Sequence, residues 1–562
     1  MINHHFDYCI NSDYFEYDQH GELCVKHGDM LEYSTPLSKF CENLHYQSIQ
    51  MPAVLHFQHI LEHRLKTLYS SFNAEIQDNQ YAAEYYFAYP IKVNPKAHIL
   101  KSLQEHCQAL GKSMHYEVGT KTELLAVLGI AKNDSMVICN GFKDKSYYGI
   151  ANSAGLLGFK VIVVIEHIQE LSLVRDYFTL DVPLYVKFGF RVKPFNENLH
   201  TLKFGLSLYE IIQAIDLFKY YDKHFLITML HGHVGSQLED QDALVVHIRF
   251  MMKLYADLAA SGIPIRYLDF GGGLGIDYNL SGNDVFCINH YAKILISNCK
   301  KIADDYGVAH PGIITESGRA ITASAEILLV QPHYEVMQNK VLSEQQSAID
   351  KKWLNGEIDL ISYKQKVQSA PIDFSSQKHV WLNFSVFQSL PDQWGINQSF
   401  PMLPIRASMT DTQNDVLIFD ISCDADGVIK DKYGNYRHQV LMSQDTPLAI
   451  LYVGAYQNML SSNHNLIGET NFVFIDFKQN GKFTAQSEKS GYHSTLLTEY
   501  GHNLLKITTR LRRRLNTLNE IEITSQQRIE LDKFLDDVVH ISPYLLSGYQ
   551  PDIKEYHDEM AG

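Results

Sequence analysis

A lysine directly after an apolar run is the first residue whose position suggests chemistry. Lys92 lies in the segment YPIKVNP. A lysine shielded from water there has a lowered pKa, and its neutral amine can form a Schiff base with an aldehyde. The alternative is an ordinary exposed lysine in a loop. A catalytic role for Lys92 is therefore supported only together with the other motifs described below.

Two histidines lie two positions apart in HGHVGSQ, so His231 and His233 share a face where the chain is extended. A metal pair is one interpretation, but no further His or Cys follows at metal-site spacing. An imidazole stacked on an aromatic cofactor accounts for more of the segment, with Ser236 and its glycine neighbour offering O–H and N–H groups to a phosphate. A histidine that merely packs in the core is the plainer alternative.

Three consecutive glycines, Gly271, Gly272 and Gly273, follow another apolar run in DFGGGLGIDY. Without side chains their N–H groups are bare and suited to cradle a phosphate. A dinucleotide fingerprint would need its third glycine where Ile276 stands, which disfavours a dinucleotide-dependent oxidoreductase. A purely structural tight turn is the alternative.

The segment TESGRAI offers a carboxylate and a guanidinium three residues apart, with Gly318 between them. Arg319 can bind a phosphate through two parallel hydrogen bonds. Glu316, if it meets a pyridine nitrogen, keeps that nitrogen protonated and makes the ring an electron sink. A surface Glu–Arg pair of little energetic consequence is the alternative.

Two further segments lie well beyond these four. In SCDADG, Cys423 is a candidate proton donor, and Asp424 and Asp426 could bind a cation. The spacing is similar to the start of a calcium loop but lacks the closing glutamate, and a simple Asp-Gly turn is the alternative. In GAYQ, Tyr456 could hydrogen-bond a phosphate or only pack.

These residues need a scaffold, and a recurring pattern of apolar runs predicts one. Eight runs are candidate strands: 85–89, 114–118, 136–140, 161–165, 184–190, 226–231, 266–270 and 312–315. They are continuous rather than alternating, as parallel strands buried on both faces require, and segments of helical periodicity separate them. The pattern predicts an α/β fold, a closed (β/α)₈ barrel with its active site at the carboxyl ends of the strands. A doubly wound open sheet is the alternative.

The barrel is assigned to residues 53–330, and the sequence changes character on either side. It predicts an N-terminal segment (1–52) packing with a β domain, a helical insertion (331–375), an antiparallel β-sheet domain (376–494) and a helical C-terminal segment (495–562). The sheet domain rests on short β-type runs bounded by Gly, Pro, Asn and Asp.

Composition narrows the choice of partners and compartment. The chain has 562 residues, 45% of them hydrophobic, which excludes a disordered or fibrous protein. A net charge of -16 disfavours nucleic acid as a partner. Eight scattered cysteines without a C-x-x-C pair predict reduced thiols and a cytoplasmic location. Neither a signal segment nor an apolar run of bilayer length is visible, so no membrane partner is expected.

The motifs in their order resemble those of the biosynthetic arginine decarboxylases, which belong to the alanine-racemase-like, fold type III family of pyridoxal-phosphate enzymes. The motifs are Lys in YPIKVN, then HxGSQ, GGGLG, ESGRA, CDxDG and GAYQ. The resemblance extends to stretches without obvious chemistry: CNGFKD (139–144), KFGLS (203–207), NFSVFQSLPDQWGINQSFPMLPI (383–405) and HNLIGET (464–470). These stretches are its most specific part.

The resemblance implies pyridoxal phosphate as the cofactor, with Mg²⁺ as a candidate second one. Lys92 would attach the cofactor aldehyde, His233 would stack on the ring and act with Lys92 and Cys423 in catalysis, and Glu316 would pair with the pyridine nitrogen. The remaining cofactor-binding residues would be Ser236, Gly271, Gly272, Gly273, Gly318, Arg319 and Tyr456.

It also implies a homodimer with shared active sites, with a dimer of dimers as a larger assembly. Cys423 and Asp424 would reach across the dimer interface into the site of the other copy. Arginine would lose CO₂, Cys423 would protonate its Cα to give agmatine, an entry to polyamines, and Asp424 or Asp426 would bind the guanidinium.

Two alternatives stay open beside this function. One is the same decarboxylation of lysine, ornithine or diaminopimelate. The other is a catalytically inactive relative that acts as a regulator, against which the presence of both Lys92 and Cys423 argues.

Overall fold

A computed structural model of the chain divides it into two compact units. The barrel unit comprises Phe57–Glu326 and Gly454–Met459, and the second unit comprises Met1–His56, Ile327–Val453 and Leu460–Gly562. The structure describes residues 10, 12–178, 185–194, 203–238, 240–280, 282, 287–341, 343–369, 372–407, 414–430, 437–440, 446–478, 481–488, 493–518, 523–537 and 543–545.

The second unit begins with a small antiparallel sheet and a helix. Its first elements are β1 (Phe15–Tyr17), β2 (Leu23–His27), β3 (Tyr33–Pro36), α1 (Leu37–Tyr46) and β4 (Ala53–Phe57). Within this unit the Arg406 Nε group donates to Glu22 Oε1 over 2.7 Å, which ties the small sheet to a later part of the chain. Residues 1–9 and 11 of the predicted N-terminal segment lie outside the described residues.

The barrel unit is a closed ring of eight parallel strands, which confirms the predicted fold class. The strands are β5 (Tyr85–Pro90), β6 (His115–Val118), β7 (Met136–Cys139), β8 (Lys160–Ile165), β9 (Val186–Arg191), β10 (Ile227–His231), β11 (Tyr267–Asp269) and β12 (Gly312–Thr315). Each overlaps one predicted run. The ring closes because β12 pairs with β5, which rules out the open sheet.

Helices alternate with these strands, and capping residues fix several of their starts. The helices are α2 (Gln58–Asp78), α3 (Ala97–Ala109), α4 (Lys121–Leu128), α5 (Lys145–Leu156), α6 (Glu170–Phe178), α7 (Leu208–Tyr220), α8 (Gln241–Ala260), α9 (Ile288–Tyr306) and α10 (Gly318–Thr322). Ser207 and Glu210 form a capping box at the start of α7. Gly307, with a φ of 63°, ends α9 in the left-handed conformation that favours glycine.

The barrel interior is filled with side chains. Its core cluster consists of Ala88, Met136, Ile138, Ile162, Val164, Met229 and Ile314, all buried. A packed interior leaves no room for a ligand along the axis, so any chemistry of this unit lies at an end of the barrel.

The rest of the second unit contains two larger sheets and several helices. The elements are β13 (Glu326–Val330), β14 (Pro332–Val341), α11 (Ser343–Leu354), α12 (Leu360–Ser369), β15 (Ile372–Leu382), α13 (Val386–Ser389), α14 (Pro391–Ile396), β16 (Met402–Pro404), β17 (Asn414–Phe419), β18 (Arg437–Val440), β19 (Leu448–Leu451), α15 (Gln457–Leu460), β20 (Asn471–Phe477), β21 (Phe483–Glu488), α16 (His493–Glu499), α17 (Leu504–Thr517) and α18 (Ser525–Asp537). Of α15, the residues up to Met459 belong to the barrel unit.

In the described part of this unit, one sheet has the order β16-β19-β13-β4-β20-β21 and the other the order β14-β15-β17-β18. The pairs with a defined register are antiparallel except for β15–β17, which is parallel. Helices α11 and α12 lie between the paired strands β14 and β15, so the insertion expected to be helical over 331–375 begins as strand β14 and ends within strand β15. The polar run MQNK lacks the alternation that reveals a strand in a sequence.

The C-terminal stretch is helical in α16 to α18, as the periodicity predicts, and residues 538–542 and 546–562 lie outside the described residues. Among the described residues, no helix combines the length and apolar character needed to cross a bilayer.

Candidate active site

Lys92 lies at the mouth of the barrel, in a 3₁₀ turn that directly follows β5. Its Nζ donates to Glu117 Oε2 over 3.2 Å, while 51% of its side chain remains exposed and therefore reachable. Partial desolvation by the surrounding protein lowers the pKa of this half-exposed amine, but the carboxylates of Glu117 and Glu316 outweigh that effect and raise the pKa above its ordinary value. The lowered pKa expected from the sequence is therefore wrong, because the sequence did not reveal the two neighbouring carboxylates.

A chain of hydrogen bonds links Lys92 to Glu316. Glu117, at the end of β6, is only 2% exposed. The side-chain amide of Asn140, after β7, donates to Glu117 Oε1 over 3.0 Å and to Glu316 Oε1 over 3.3 Å. Four strand ends of the barrel thus place the amine and the carboxylate predicted for cofactor chemistry around one point.

Glu316 follows β12 and is ionised despite its burial. Burial alone would raise the pKa of this carboxyl, but His231 at 3.3 Å and Lys92 lower it to about 2. Its backbone N–H donates to the carbonyl of Gly271 over 2.7 Å, which fixes the residue against the glycine loop. A buried, ionised carboxylate can hold a proton on a heterocyclic nitrogen.

His233 lies just beyond β10 and packs on the same glycine loop. A Cβ added to Gly271 would lie 2.8 Å from His233 Nδ1, so a larger residue at 271 would displace the ring. Burial lowers the pKa of His233 to about 3, with Glu316 opposing this shift. The imidazole is therefore neutral at physiological pH, the state suited to packing on an aromatic ring.

The glycine loop itself requires glycines. Gly271 and Gly273 have φ angles of 65° and 128°, and a Cβ on Gly272 would lie 2.9 Å from the Glu316 carbonyl oxygen. Gln237 exchanges hydrogen bonds with the backbone of Ile276 over 2.8 and 3.2 Å, which ties this loop to the segment HGHVGSQ. Ser236 is exposed on that segment.

Arg319 supplies a cation near these loops. Its Nη1 donates to the hydroxyl of Tyr278 over 3.1 Å, and its guanidinium carbon lies 4.7 Å from the centre of the Tyr456 ring. The Tyr456 N–H donates to the Val93 carbonyl over 2.7 Å, which holds Tyr456 beside the Lys92 turn. A Cβ on Gly318 would lie 2.8 Å from the Val93 side chain, so the approach of the two loops depends on this glycine.

The remaining predicted residues lie in the second unit, on the turn after β17. Cys423 is exposed; its N–H donates to Asn465 Oδ1 over 3.0 Å, and Asn465 Nδ2 lies 3.2 Å from its sulfur. Asp424 lies 3.0 Å from His464 Nε2, and the Asp426 N–H donates to Asp424 Oδ1 over 2.9 Å. Cys423 lines a cavity of about 770 Å³ together with Trp381, Asp420, Ile421, Ser422, Asn465, Ile467, Pro543 and Leu545.

Three comparisons with known proteins bear on this arrangement. Residues 68–323 match the family model for the pyridoxal binding domain of pyridoxal-dependent decarboxylases. The biosynthetic arginine decarboxylase of Geotalea uraniireducens is 30% identical over 551 residues, 83% of this chain and 86% of the relative. That of Citrifermentans bemidjiense is 29% identical over 565 residues, 85% of this chain and 88% of the relative.

This chain belongs to the family of biosynthetic arginine decarboxylases. The resemblance noted in the motifs is thereby confirmed. Among solved structures, the biosynthetic arginine decarboxylase of Campylobacter jejuni has a TM-score of 0.83 at 22% identity, covering 96% of this chain and 98% of that one. At that identity the likeness supports the fold alone.

The residues at the barrel mouth fit pyridoxal phosphate, the cofactor of this family. They provide a reachable primary amine at Lys92, an ionised carboxylate at Glu316, a neutral imidazole at His233 and a guanidinium at Arg319. The glycine loop packs so closely that a Cβ on any of its three glycines would collide with His233, Glu316 or Leu238. In pyridoxal phosphate, the aldehyde matches the amine of Lys92 and the pyridine nitrogen matches the carboxylate of Glu316. The aromatic ring matches the imidazole of His233, and the phosphate matches the guanidinium of Arg319.

Several residues of the mouth were missed from the sequence. Glu117, Asn140 and Asp269 each follow or end an apolar strand, the same signal that singled out Lys92, and Tyr278 closes the segment DFGGGLGIDY. Among the described residues, one group has ligand atoms within 4.8 Å of one another and could hold a metal ion, namely His231, Asp269 and Glu316. Asp424 and Asp426, the candidates for a cation, are not part of it.

Proposed function

We propose that this chain catalyses the pyridoxal-phosphate-dependent decarboxylation of L-arginine to agmatine and CO₂, a step that feeds polyamine synthesis. Membership of the family supports the reaction and the substrate. The observation that carries the proposal is the contact chain from Lys92 through Glu117 and Asn140 to Glu316, since it links the amine to the ionised carboxylate through only two side chains.

When bound, pyridoxal phosphate accepts the electron pair that the departing carboxylate leaves behind. The chain supplies position and charge. Lys92 would hold the cofactor aldehyde, Glu316 would hold a proton on the pyridine nitrogen, and the neutral ring of His233 would pack against the cofactor ring. Arg319 would bind the phosphate, with the N–H groups of Gly272 and Gly273 and the hydroxyls of Ser236 and Tyr456 beside it. Gly271 would contribute through its place in the loop, since its own N–H donates to Asp269.

The proton that replaces CO₂ on the substrate would come from Cys423. Its exposure supports this role, because an exposed thiol is accessible to a substrate held in the site of another copy. We further propose a homodimer in which Cys423 and Asp424 of one copy complete the site of the other, with Asp424 or Asp426 binding the guanidinium. Asp424 contacts His464, yet 36% of its side chain remains exposed and therefore accessible to a substrate.

The scattered free cysteines among the described residues also favour a cytoplasmic location.

The test is to incubate the purified protein with pyridoxal phosphate and, separately, arginine, lysine, ornithine and diaminopimelate. We expect agmatine and CO₂ from arginine at a rate at least about a hundredfold above those of the other acids, because a site built for a guanidinium leaves polar groups unpaired with an amine. Preferred turnover of another acid would keep the chemistry and overturn the substrate. Cofactor binding without turnover of any acid would instead support an inactive regulator. A parallel assay with a chelator, and with Mg²⁺ restored, tests for a second cofactor.

A further inference from the structure

Two buried carboxyl groups meet behind the cofactor-facing residues. Asp269 ends β11, where its Cα pairs with those of His231 and Ile314 in the neighbouring strands. It is fully buried, and a carboxyl oxygen lies within 4.8 Å of a carboxyl oxygen of Glu316 and of an imidazole nitrogen of His231.

The two oxygens of Asp269 have different surroundings. Oδ1 accepts a hydrogen bond from the Gly271 N–H over 2.8 Å. Oδ2 is shielded from solvent, and no N–H or O–H group of the described residues donates to it. An ionised oxygen in that position would be buried without compensation, which proteins avoid.

Two carboxylates this close in a dry interior repel each other, which favours the retention of a proton by one of them. Glu316 has cationic and polar partners in Lys92, His231 and Asn140 that favour its charge. Asp269 has one backbone N–H, and the titratable groups that face it otherwise are Glu117, Glu316, His231, Tyr85 and Tyr291. Burial, followed by the charge of Glu316, raises the pKa of Asp269 well above its ordinary value.

We propose that Asp269 is a neutral carboxylic acid at physiological pH and that its Oδ2–H group donates to Glu316, which makes Asp269 a positioning residue for that carboxylate. A hydrogen bond donated to the ionised form of Glu316 stabilises that form and fixes its orientation. What Glu316 does for the cofactor rests on the proposed function, but the protonation of Asp269 does not.

The first test uses the cofactor-free protein, in a chelator so that no divalent ion replaces the proton. The matched variant is D269N, because an Asn side chain keeps the acceptor for Gly271 and places an N–H toward Glu316. Native Asp269 holds a proton that the unfolded chain releases above about pH 4, so rising pH favours unfolding. From about pH 5 upward, the unfolding constant of the wild type relative to D269N should rise about tenfold per pH unit until the native pKa is reached.

Infrared difference spectra of the same two proteins at neutral pH supply a second readout. The wild type should show a carboxylic-acid carbonyl stretch that D269N lacks. Parallel unfolding profiles over this pH range, or a difference spectrum without that band, would overturn the proposal whether or not the protein decarboxylates arginine.

A rescue experiment separates positioning from simple packing. D269A removes the donor to Glu316, so the cofactor absorbance at a fixed cofactor concentration should fall and its pH profile should shift. D269N should recover most of what D269A loses, because it restores the donor without restoring a titratable group. If D269N is as impaired as D269A, the donor role is refuted.

Discussion

The barrel mouth and the Cys423 turn place reactive groups in opposite ways. At the mouth, Glu117, Asp269 and Glu316 are each at most 6% exposed, and their charges depend on one another. On the turn, Cys423 is exposed. Among the described residues, its only hydrogen-bond partner is Asn465. The mouth fixes protonation states, whereas the turn presents a thiol.

The difference has an energetic consequence. A buried network is costly to break, because the partner of a deleted group is left charged and shielded from water. An exposed turn loses little free energy when one side chain changes, because water replaces the lost partner. Substitutions at the mouth should therefore alter cofactor binding, whereas those on the turn should alter turnover with the cofactor in place.

The largest effect is expected for Lys92→Ala. Without the amine, the absorbance of the lysine-bound cofactor should vanish and turnover of arginine should fall by at least about 10⁴-fold. Lys253→Ala is the control, since Lys253 forms an exposed ion pair with Asp257 on α8. Absorbance spectra and agmatine formation measure both. Turnover retained in Lys92→Ala would remove the central residue of the proposed function.

Glu316→Gln should come next. The amide cannot hold a proton on a pyridine nitrogen, so turnover should fall about 10³-fold while some cofactor still binds. Glu105→Gln is the control, because Glu105 forms an exposed pair with Lys101 on α3. Cofactor titration and steady-state kinetics separate the two effects. Wild-type turnover in Glu316→Gln would contradict the role of this carboxylate.

A smaller loss is expected for Cys423→Ala, which should bind the cofactor normally and turn over about 10²-fold more slowly, or protonate the wrong position.

The proposed sharing of active sites across a dimer can be tested by mixing two impaired variants. When Lys92→Ala and Cys423→Ala chains are unfolded, mixed and refolded, mixed dimers should restore about a quarter of the active sites. No recovery of activity in the mixture would argue against sharing across a dimer.

The barrel could be predicted because its signal is local. Eight continuous apolar runs specify buried parallel strands, and residues directly after them, such as Lys92 and Glu316, are at the mouth wherever the ring closes. The polar start of the insertion was mistaken for helix because strand β14 pairs with β15, whose residues lie between 31 (Val341 with Ile372) and 50 (Pro332 with Leu382) positions further along the chain. Pairing of that kind leaves no mark in a local window.

Charge states could not be predicted, because they depend on neighbours from different strands. Glu117, Asn140 and Glu316 come from β6, β7 and β12, and only ring closure makes β5 adjacent to both β6 and β12. The pKa of Lys92 was therefore expected to fall, whereas the assembled carboxylates raise it. The same assembly makes Asp269 visible as part of the site.

His233 offers a test of this buried electrostatics through pH. Its pKa is lowered from 6.5 to about 3, mainly by burial. Between these two pH values, His233 is therefore neutral in the folded protein but protonated in the unfolded chain. The stability it contributes is present above about pH 6.5 and is lost as the pH falls toward 3. Relative to His233→Gln, wild-type unfolding free energy should fall by up to about 1.4 kcal/mol per pH unit in this window, measured by denaturant titration without cofactor. Identical profiles would show that His233 titrates normally.

The smallest effect is expected for Asn465→Gly, which examines the turn alone. Asn465 has a φ of 57°, which glycine adopts without strain, so the variant removes the contacts with Cys423 and leaves the backbone intact. Because the lost hydrogen bonds are exposed, unfolding free energy should fall by about 1 kcal/mol or less, while turnover falls severalfold as the thiol loses its fixed position. Asn465→Asp keeps the oxygen that accepts from the Cys423 N–H, so its stability and turnover should lie between those of the wild type and those of Asn465→Gly. Loss of cofactor absorbance in Asn465→Gly would show that the Cys423 turn is also needed for cofactor binding. The proposed division, in which the barrel mouth sets protonation states and the turn only exposes a thiol, would then be wrong.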